Sequence, residues 1–399
     1  MALDQIKIPA VFMRGGTSNA VVFKQSDLPA DRALWDEIFL AAIGSPDPNG
    51  RQLDGMGGGI SSLSKVCVIG PPSREDADID YTFAQVAVKD AVVDYSSNCG
   101  NMSSAMGPFA VDEGLVQVSG DSAYVRIHNT NTGKIIHSRF PLDGGRAAVD
   151  GDMVLQGVAG TGAPVRLEFE DPGGASTDRL LPTGRPVDRI EADGFGAIDV
   201  SLVDATNACL FVRAGDIGLT GTEMSDEIDA DSALMDRLEE LRCRVSVTMG
   251  IASSLDDAAA KPSIPKIGIV TGPQQAPTLS GANLAADGMD LLARMISLGN
   301  CHRALPLTGA LCLTVAARIP GTVVHDVTRP PEDYSEDLHI AQPSGLTISC
   351  ATVTRSGEAW FADRACVYRT ARRIFEGNIL VPSSRVTEVI AAEHSAAAE

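Results

Sequence analysis

The sequence predicts an α+β protein of two similar, strand-rich domains, and three observations predict it. The chain has 399 residues, long for one hydrophobic core and enough for two domains of about 200. It carries 39 glycines but only 5% aromatic residues, which suits strands joined by many turns better than a helical bundle. Two stretches, one in each half, place an Asn-Cys pair ahead of small residues: "SSNCGNMSSAMGPFA" from Ser96 and "LGNCHRALPLTGALC" from Leu298. Paired helix starts of this kind predict a pseudo-twofold protein in which one helix from each domain opens on a shared cleft.

Along the first half, "IPAVFMRGGTSNAVVF" reads as strand, glycine turn and strand. "KVCVIG" and "YTFAQVAV" are strand-like, and "AVVDYSS" leads into the first Asn-Cys pair. "YVRIHNTNTGKIIHSRF" is a hairpin whose turn carries Asn131 and Gly133. The Pro/Gly-rich run "DPGGASTDRLLPTGRP" (171–186) is the best boundary candidate, dividing the chain into 1–184 and 185–399. The second half opens with a strand, "AIDVSLVDATNACLFV". A helix follows with Leu234, Leu238, Leu241 and Val245 at helical spacing behind a capping Asp231 or Ser232. Further helices are expected from about Asp287 to Ser297 and from Asn300, the latter ending in the apolar run "ALPLTGALCLTVAA".

Composition excludes several classes of function. A net charge of −20 leaves no Lys/Arg surplus to neutralise phosphates, which argues against a nucleic-acid partner. It also means that any site for an anion must be built locally. The apolar run from Ala304 is too short to span a bilayer and reads as a buried helix. Six histidines show no metal-ligand spacing, so no metal is expected. Eight cysteines lie scattered without a C-x-x-C pair, and the N-terminus lacks an apolar h-region. Reduced thiols in a cytoplasmic protein are the expectation.

Three features offer chemistry, each beside a plainer structural reading. Cys99 sits where unpaired helix N–H groups and the helix dipole favour a thiolate, although a buried inert thiol accounts for it equally well. Lys65 opens the apolar strand "VCVIG"; such a lysine usually snorkels to the surface, yet in a dry cleft its amine could serve as a general base. "RGGTS" (14–18) and "DGMGGGISS" (54–62) supply the N–H groups and hydroxyls of an anion nest, or simply turns. Neither fits a P-loop or a dinucleotide-binding fingerprint, and no cofactor is implied.

Taken together, "MRGGTS", "GSPDPNGRQLDGMGG", "SLSK", "DYTFAQV", "VDYSSNCGN", "GPFAVDEGLV", "IHNTNTGK", "TGTEM" and "RTARRIFEG" resemble the PrpF family over nearly the whole chain. The resemblance implies a diaminopimelate-epimerase-like fold, each domain a curled, mostly antiparallel sheet around a central helix, with the last strand free to return to the first domain. It implies a cofactor-independent isomerase that makes a 1,3-allylic proton shift, as double-bond migration or cis–trans isomerisation, on a small unsaturated di- or tricarboxylate such as methylitaconate, methylaconitate, aconitate or 4-oxalomesaconate. Carried over by motif, Lys65 and Cys99 are the catalytic candidates. The substrate-binding candidates are Arg14, Gly16, Thr17, Ser18, Ser64, Gly100, Asn101, Met102, Cys301, His302 and Ser344. The chain departs from the family pattern at Asn19, Ala20 and Cys301. The partner is then a small anionic substrate, with neither nucleic acid nor membrane, and the protein a monomer or homodimer. Two rival readings are a racemase or epimerase working through Cys99 and Cys301, and a non-catalytic carboxylate-binding accessory protein.

Overall fold

The computed structural model describes residues 4–96, 98–330, 333 and 337–389. They form two compact units: one runs to Leu167 and resumes at Arg369, and the other spans Glu168–Tyr368.

In the first unit, seven strands pair in the order Ala371–Pro382, Gln5–Gly15, Ser18–Lys24, Lys65–Gly70, Ile79–Val86, Ser122–Asn129 and Lys134–Asp143. The joins of Ser18–Lys24 to Lys65–Gly70 and of Ile79–Val86 to Ser122–Asn129 are parallel, and the other four are antiparallel. The helix Gly100–Asp112 touches strands at both ends of this order, so the sheet curls around it. Small residues make that possible. A Cβ on Gly107 would meet Ser138 Oγ at 2.7 Å and the Phe140 ring at 2.9 Å, so only glycine lets the helix lie this close to the sheet. On the opposite face, the helix Trp35–Ile43 buries Trp35, Ile38, Phe39 and Ile43 against Phe23, Val66, Val68 and Val381.

The second unit repeats this succession. Asp188–Ala192, Gly196–Ala205 and Asn207–Arg213 are antiparallel neighbours, and Asn207–Arg213 runs parallel to Lys266–Thr271. Lys266–Thr271 is antiparallel to Leu291–Ser297, which runs parallel to Leu338–Gln342; Gly345–Ser356 and Ala359–Arg369 complete the sheet. The helix Leu307–Ala317, buried from Gly309 onward, packs against strands from both sides of this sheet. A curled, mostly antiparallel sheet around a central helix thus occurs twice, as the α+β reading anticipates. The helix of Leu234 and Leu238 runs from Ser232 to Thr248, with Asp231 accepting a hydrogen bond from the Leu234 N–H.

Four local expectations are corrected. Leu291–Ser297 is a strand and not a helix: every residue of it is buried, a position that suits a central strand and leaves no polar face for a helix. "AIDVSLVDATNACLFV" is a hairpin, turned at Thr206 with φ +59°. The second central helix starts at Leu307 behind Pro306, whereas Asn300–Cys301 pairs as a short strand with Ile296 and Ser297. Finally, Cys350 and Cys366 face each other across two strands with Cα atoms 5.0 Å apart and are joined in a disulfide, so the expectation of eight reduced thiols fails for this pair. Their opposition is set by hairpin register, which spacing along the chain does not reveal. The remaining six cysteines are free thiols.

Candidate active site

Lys65 is the first residue of its strand, and antiparallel register places Gln85 directly opposite. The side chain is 7% exposed. Its Nζ donates to Gln85 Oε1 at 2.5 Å and lies 4.9 Å from the centroid of the Phe83 ring. Phe83 and Gln85, two residues apart on one strand, share a face and together cradle the amine. Gln85 Nε2 donates to the carbonyls of Ser61 (3.1 Å) and Ser64 (2.9 Å), so the amide has one orientation and presents its oxygen to the lysine. Ser64 itself is buried, its hydroxyl donating to Gln52 Oε1 at 2.6 Å. Gln52 also accepts from the Gly59 N–H, while the N–H groups of Met56 and Gly57 bond to Ala42 and Ile43. Those three N–H groups are therefore committed to folding the loop, which favours the turn over the nest among the two readings of "DGMGGGISS".

Two residues along from Lys65, Cys67 is fully buried, 3.8 Å from the Tyr81 hydroxyl. Burial, with a smaller contribution from Cys99, pushes its thiol well up; the Tyr81 hydrogen bond and Lys65 pull in the opposite direction. Burial likewise raises the Tyr81 hydroxyl, and both thiols add to it. Cys67 thus lies within electrostatic reach of Lys65, Tyr81 and Cys99, and Tyr81 within reach of both thiols. Cys99 is half-buried and caps the Gly100 helix with extended backbone, φ −105° and ψ 97°. The first helical hydrogen bond runs from the Ser103 N–H to the Cys99 carbonyl, 2.9 Å, so the N–H groups of Gly100, Asn101 and Met102 precede the helical ladder. Met102 contributes only backbone there, because its side chain is buried in the core.

The turn Gly15–Ser18 abuts this helix start. Gly16 has φ +53°, and a Cβ on it would fall on Asn101 Oδ1. Asn101 Nδ2 donates to Thr17 Oγ1 at 3.1 Å, and Asn101 Oδ1 accepts from Arg369 Nε at 3.2 Å. Burial holds the Arg369 guanidinium down to about 10. Arg14 reaches the carbonyls of Gly16 (2.9 Å) and Thr370 (2.8 Å), bracing the turn, and Ser18 is buried at the start of the next strand. Of the sequence candidates, Arg14 bonds to Gly16, Asn101 bonds to Thr17 and also to Arg369, and Gly100 and Met102 flank Asn101 on the helix. Lys65 and Ser64 meet through Gln85.

The second unit holds the other three candidates. Its Lys266 opens the strand that corresponds in topology to the one opened by Lys65, and burial lowers its amine. The Cys301 N–H donates to Asp229 Oδ1 at 2.7 Å, and burial raises its thiol. His302 Nε2 lies 2.7 Å from Ser297 Oγ; burial, then the charge of Lys266, lowers its imidazole. Ser344 Oγ donates to the Arg303 carbonyl at 2.5 Å, tying that loop to the Cys301–His302 segment. Among the described residues no cluster of His, Cys, Asp or Glu could hold a metal ion.

Sequence reasoning missed Gln85, Phe83, Cys67, Tyr81, Arg369 and Lys266. The run "DYTFAQV" contains three of them, but only strand register shows that Gln85 and Phe83 face Lys65. The signal for Lys266 was its place at the head of an apolar strand, as for Lys65.

Lys65 is a buried amine held by Gln85 and Phe83, and similarity to known proteins defines the class of the protein. The PrpF protein family model matches residues 5–382, and the chain belongs to that family. It is 42% identical to the 3-methylitaconate isomerase of Eubacterium barkeri over 96% of this chain and 99% of that protein. It is 37% identical to the 2-methyl-aconitate isomerase of Shewanella oneidensis, over 95% of this chain and 98% of that one. A crystal structure of methylitaconate-delta-isomerase superposes with TM-score 0.89 at 41% identity, covering 96% of this chain and 98% of the other. The protein is an isomerase.

Proposed function

We propose that this isomerase moves a double bond in a small unsaturated di- or tricarboxylate by a 1,3-allylic proton shift that needs neither metal nor cofactor. Lys65 removes a proton at one carbon and returns one two carbons away. The observation that carries this is the buried Lys65 amine, held by Gln85 and Phe83, with Cys67 within electrostatic reach of both Lys65 and Cys99. Gln85 is a neutral acceptor, so it positions the amine without locking a proton onto it, as a carboxylate would. Removing the proton puts charge on a carboxylate or keto group conjugated to the carbanion. The N–H groups of Gly100, Asn101 and Met102 stabilise that charge as it develops. Thr17 and Asn101 orient a further carboxylate. Cys99 supplies a second acid or base, or holds the substrate against Lys65. A methylitaconate-like substrate fits best, because the 42% identical relative is named for it.

The test is proton NMR in heavy water with methylitaconate, methylaconitate, aconitates and oxalomesaconate. The expected result is isomerisation of one of them, with deuterium entering at carbon. Binding without exchange would instead indicate an accessory protein. Exchange that survives Lys65→Met but is lost in both Cys99→Ser and Cys301→Ser would replace this mechanism with a two-thiol racemase.

A further inference from the structure

Two asparagines of one hairpin tie the strand that cradles Lys65 to the segment that leads to Cys99. Along one edge of Ile79–Val86 the pairing partner changes midway. Ser122–Asn129 runs parallel beside Ile79, Asp80 and Tyr81, whereas Val93–Asp94 pairs with Gln85 and Val86. Phe83 falls between these two neighbours, and a side chain takes the place of a strand there. Asn131 Oδ1 accepts from the Phe83 N–H at 2.8 Å, and Asn131 Nδ2 donates to the Phe83 carbonyl at 2.8 Å. The same Nδ2 donates to the Tyr95 carbonyl, also at 2.8 Å. Both Nδ2 hydrogens are therefore engaged, and the Phe83 N–H fixes which end of the amide is oxygen. Cys99 lies four residues beyond Tyr95.

Asn129 adds a second tie. It is fully buried, and its Nδ2 donates to Asn98 Oδ1 and to Asn131 Oδ1, each at 3.3 Å. Asn98 immediately precedes Cys99, and its Oδ1 also accepts from Ser103 Oγ on the helix at 3.3 Å. The plain reading of these asparagines is a hairpin turn. That turn is folded by Asn129, whose Oδ1 accepts from the N–H and the hydroxyl of Thr132 and whose carbonyl accepts from the Gly133 N–H. The Asn131 amide is directed instead at Phe83 and Tyr95, across the gap between two strands.

We propose that Asn131, supported by Asn129, is a positioning residue for the isomerase, its amide setting the placement of Cys99 relative to Lys65. The inference rests on the roles given above to those two residues. The test combines turnover of methylitaconate, or of whichever panel member isomerises, with iodoacetamide alkylation of Cys99 followed by peptide mass spectrometry. Asn131→Asp keeps the size of the side chain and the acceptor for the Phe83 N–H, but sets an oxygen against both carbonyls. kcat should fall about tenfold or more with little change in KM, as expected when reacting groups are misplaced. Cys99 alkylation should quicken about threefold or more as its segment loosens, while the fully buried Cys67 stays unlabelled. Asn131→Ala, which opens the two carbonyls to water, gives the same readouts should the aspartate variant not fold. In a Cys99→Ser background the kcat loss should largely vanish, because the group being placed is gone. Wild-type kcat or an unchanged alkylation rate in a folded variant would overturn the proposal. So would a kcat loss of equal size with and without Cys99, the mark of general packing. Wild-type turnover in Lys65→Met would instead sink the functional reading and this proposal with it, whereas the other outcomes leave that reading standing.

Discussion

Gln85 Oε1 accepts a 2.5 Å hydrogen bond from Lys65 Nζ across two paired strands, and the backbone of Ser61 and Ser64 holds that amide in place. In the proposed mechanism Lys65 both takes and returns a proton, and such a base needs a fixed position and a partner indifferent to its charge. A glutamine oxygen meets both needs. The Phe83 ring beneath the amine supplies modest attraction to the cation without a formal counter-charge.

Lys65→Met removes the amine while keeping most of the volume of the stem. Turnover and deuterium exchange should both fall by about 10²–10⁴-fold or more, the usual contribution of a general acid–base group. Thermal unfolding should change little. An unaffected exchange rate would remove Lys65 from the mechanism.

In the proposed mechanism Gln85 positions the Lys65 amine, and two variants separate that role from mere packing. Gln85→Ala frees the amine, and kcat should fall by about tenfold or more with a smaller change in KM, as expected of a misplaced base. Gln85→Glu puts a carboxylate against the amine, favours its charged form, and should displace the pH–rate profile toward higher pH. A profile identical to wild type in Gln85→Glu would show that the pair plays no part in proton transfer.

The two thiols should behave differently. Cys301 is buried, and that burial raises its thiol, disfavouring the thiolate that proton abstraction requires. Cys301→Ser should therefore retain near-parental turnover. Cys99→Ser should lose about 10²-fold or more if the thiol transfers a proton, and considerably less if it only positions substrate. Single-turnover exchange rates on both variants with one substrate distinguish these cases.

Gly16→Ala tests the turn against the helix start. Its positive φ is strained for alanine, and the added methyl would displace the Asn101 amide that holds Thr17. Stability should fall by about 1–3 kcal/mol in denaturant titration. KM should rise beyond what the stability loss explains, because the proposed carboxylate donors move. A variant with parental KM would separate this turn from substrate binding.

His302 gives a pH signature. Burial lowers its folded-state value below the ordinary 6.5. As pH falls through 6.5, the unfolded chain takes up the proton before the folded chain does. The contribution to stability is thus complete above 6.5 and is lost as pH drops toward the folded value. The denaturant midpoint should decline between pH 7.5 and 5.5, and His302→Gln should flatten that decline. An equal slope in the variant would assign the pH dependence to other groups.

What the sequence determined by itself is local or compositional. Alternating apolar runs and glycine turns specified the strands around "RGGTS", "KVCVIG" and the Asn131 hairpin, and leucine spacing behind Asp231 specified the long helix. Motifs such as "NCGN" and "SLSK" placed the chain in its family and singled out Lys65 and Cys99. Periodicity failed for Leu291–Ser297, because a strand buried on both faces has no polar face to alternate with. Only the tertiary structure decided what depends on register between distant segments. It set Gln85 against Lys65, drew Cys67 and Tyr81 into reach of Cys99, brought Arg369 from near the end of the chain to Asn101, and joined Cys350 to Cys366. Each of these contacts is fixed by which strands pair and by how many residues they are offset, and that is a property of the whole folded sheet rather than of any short stretch of chain.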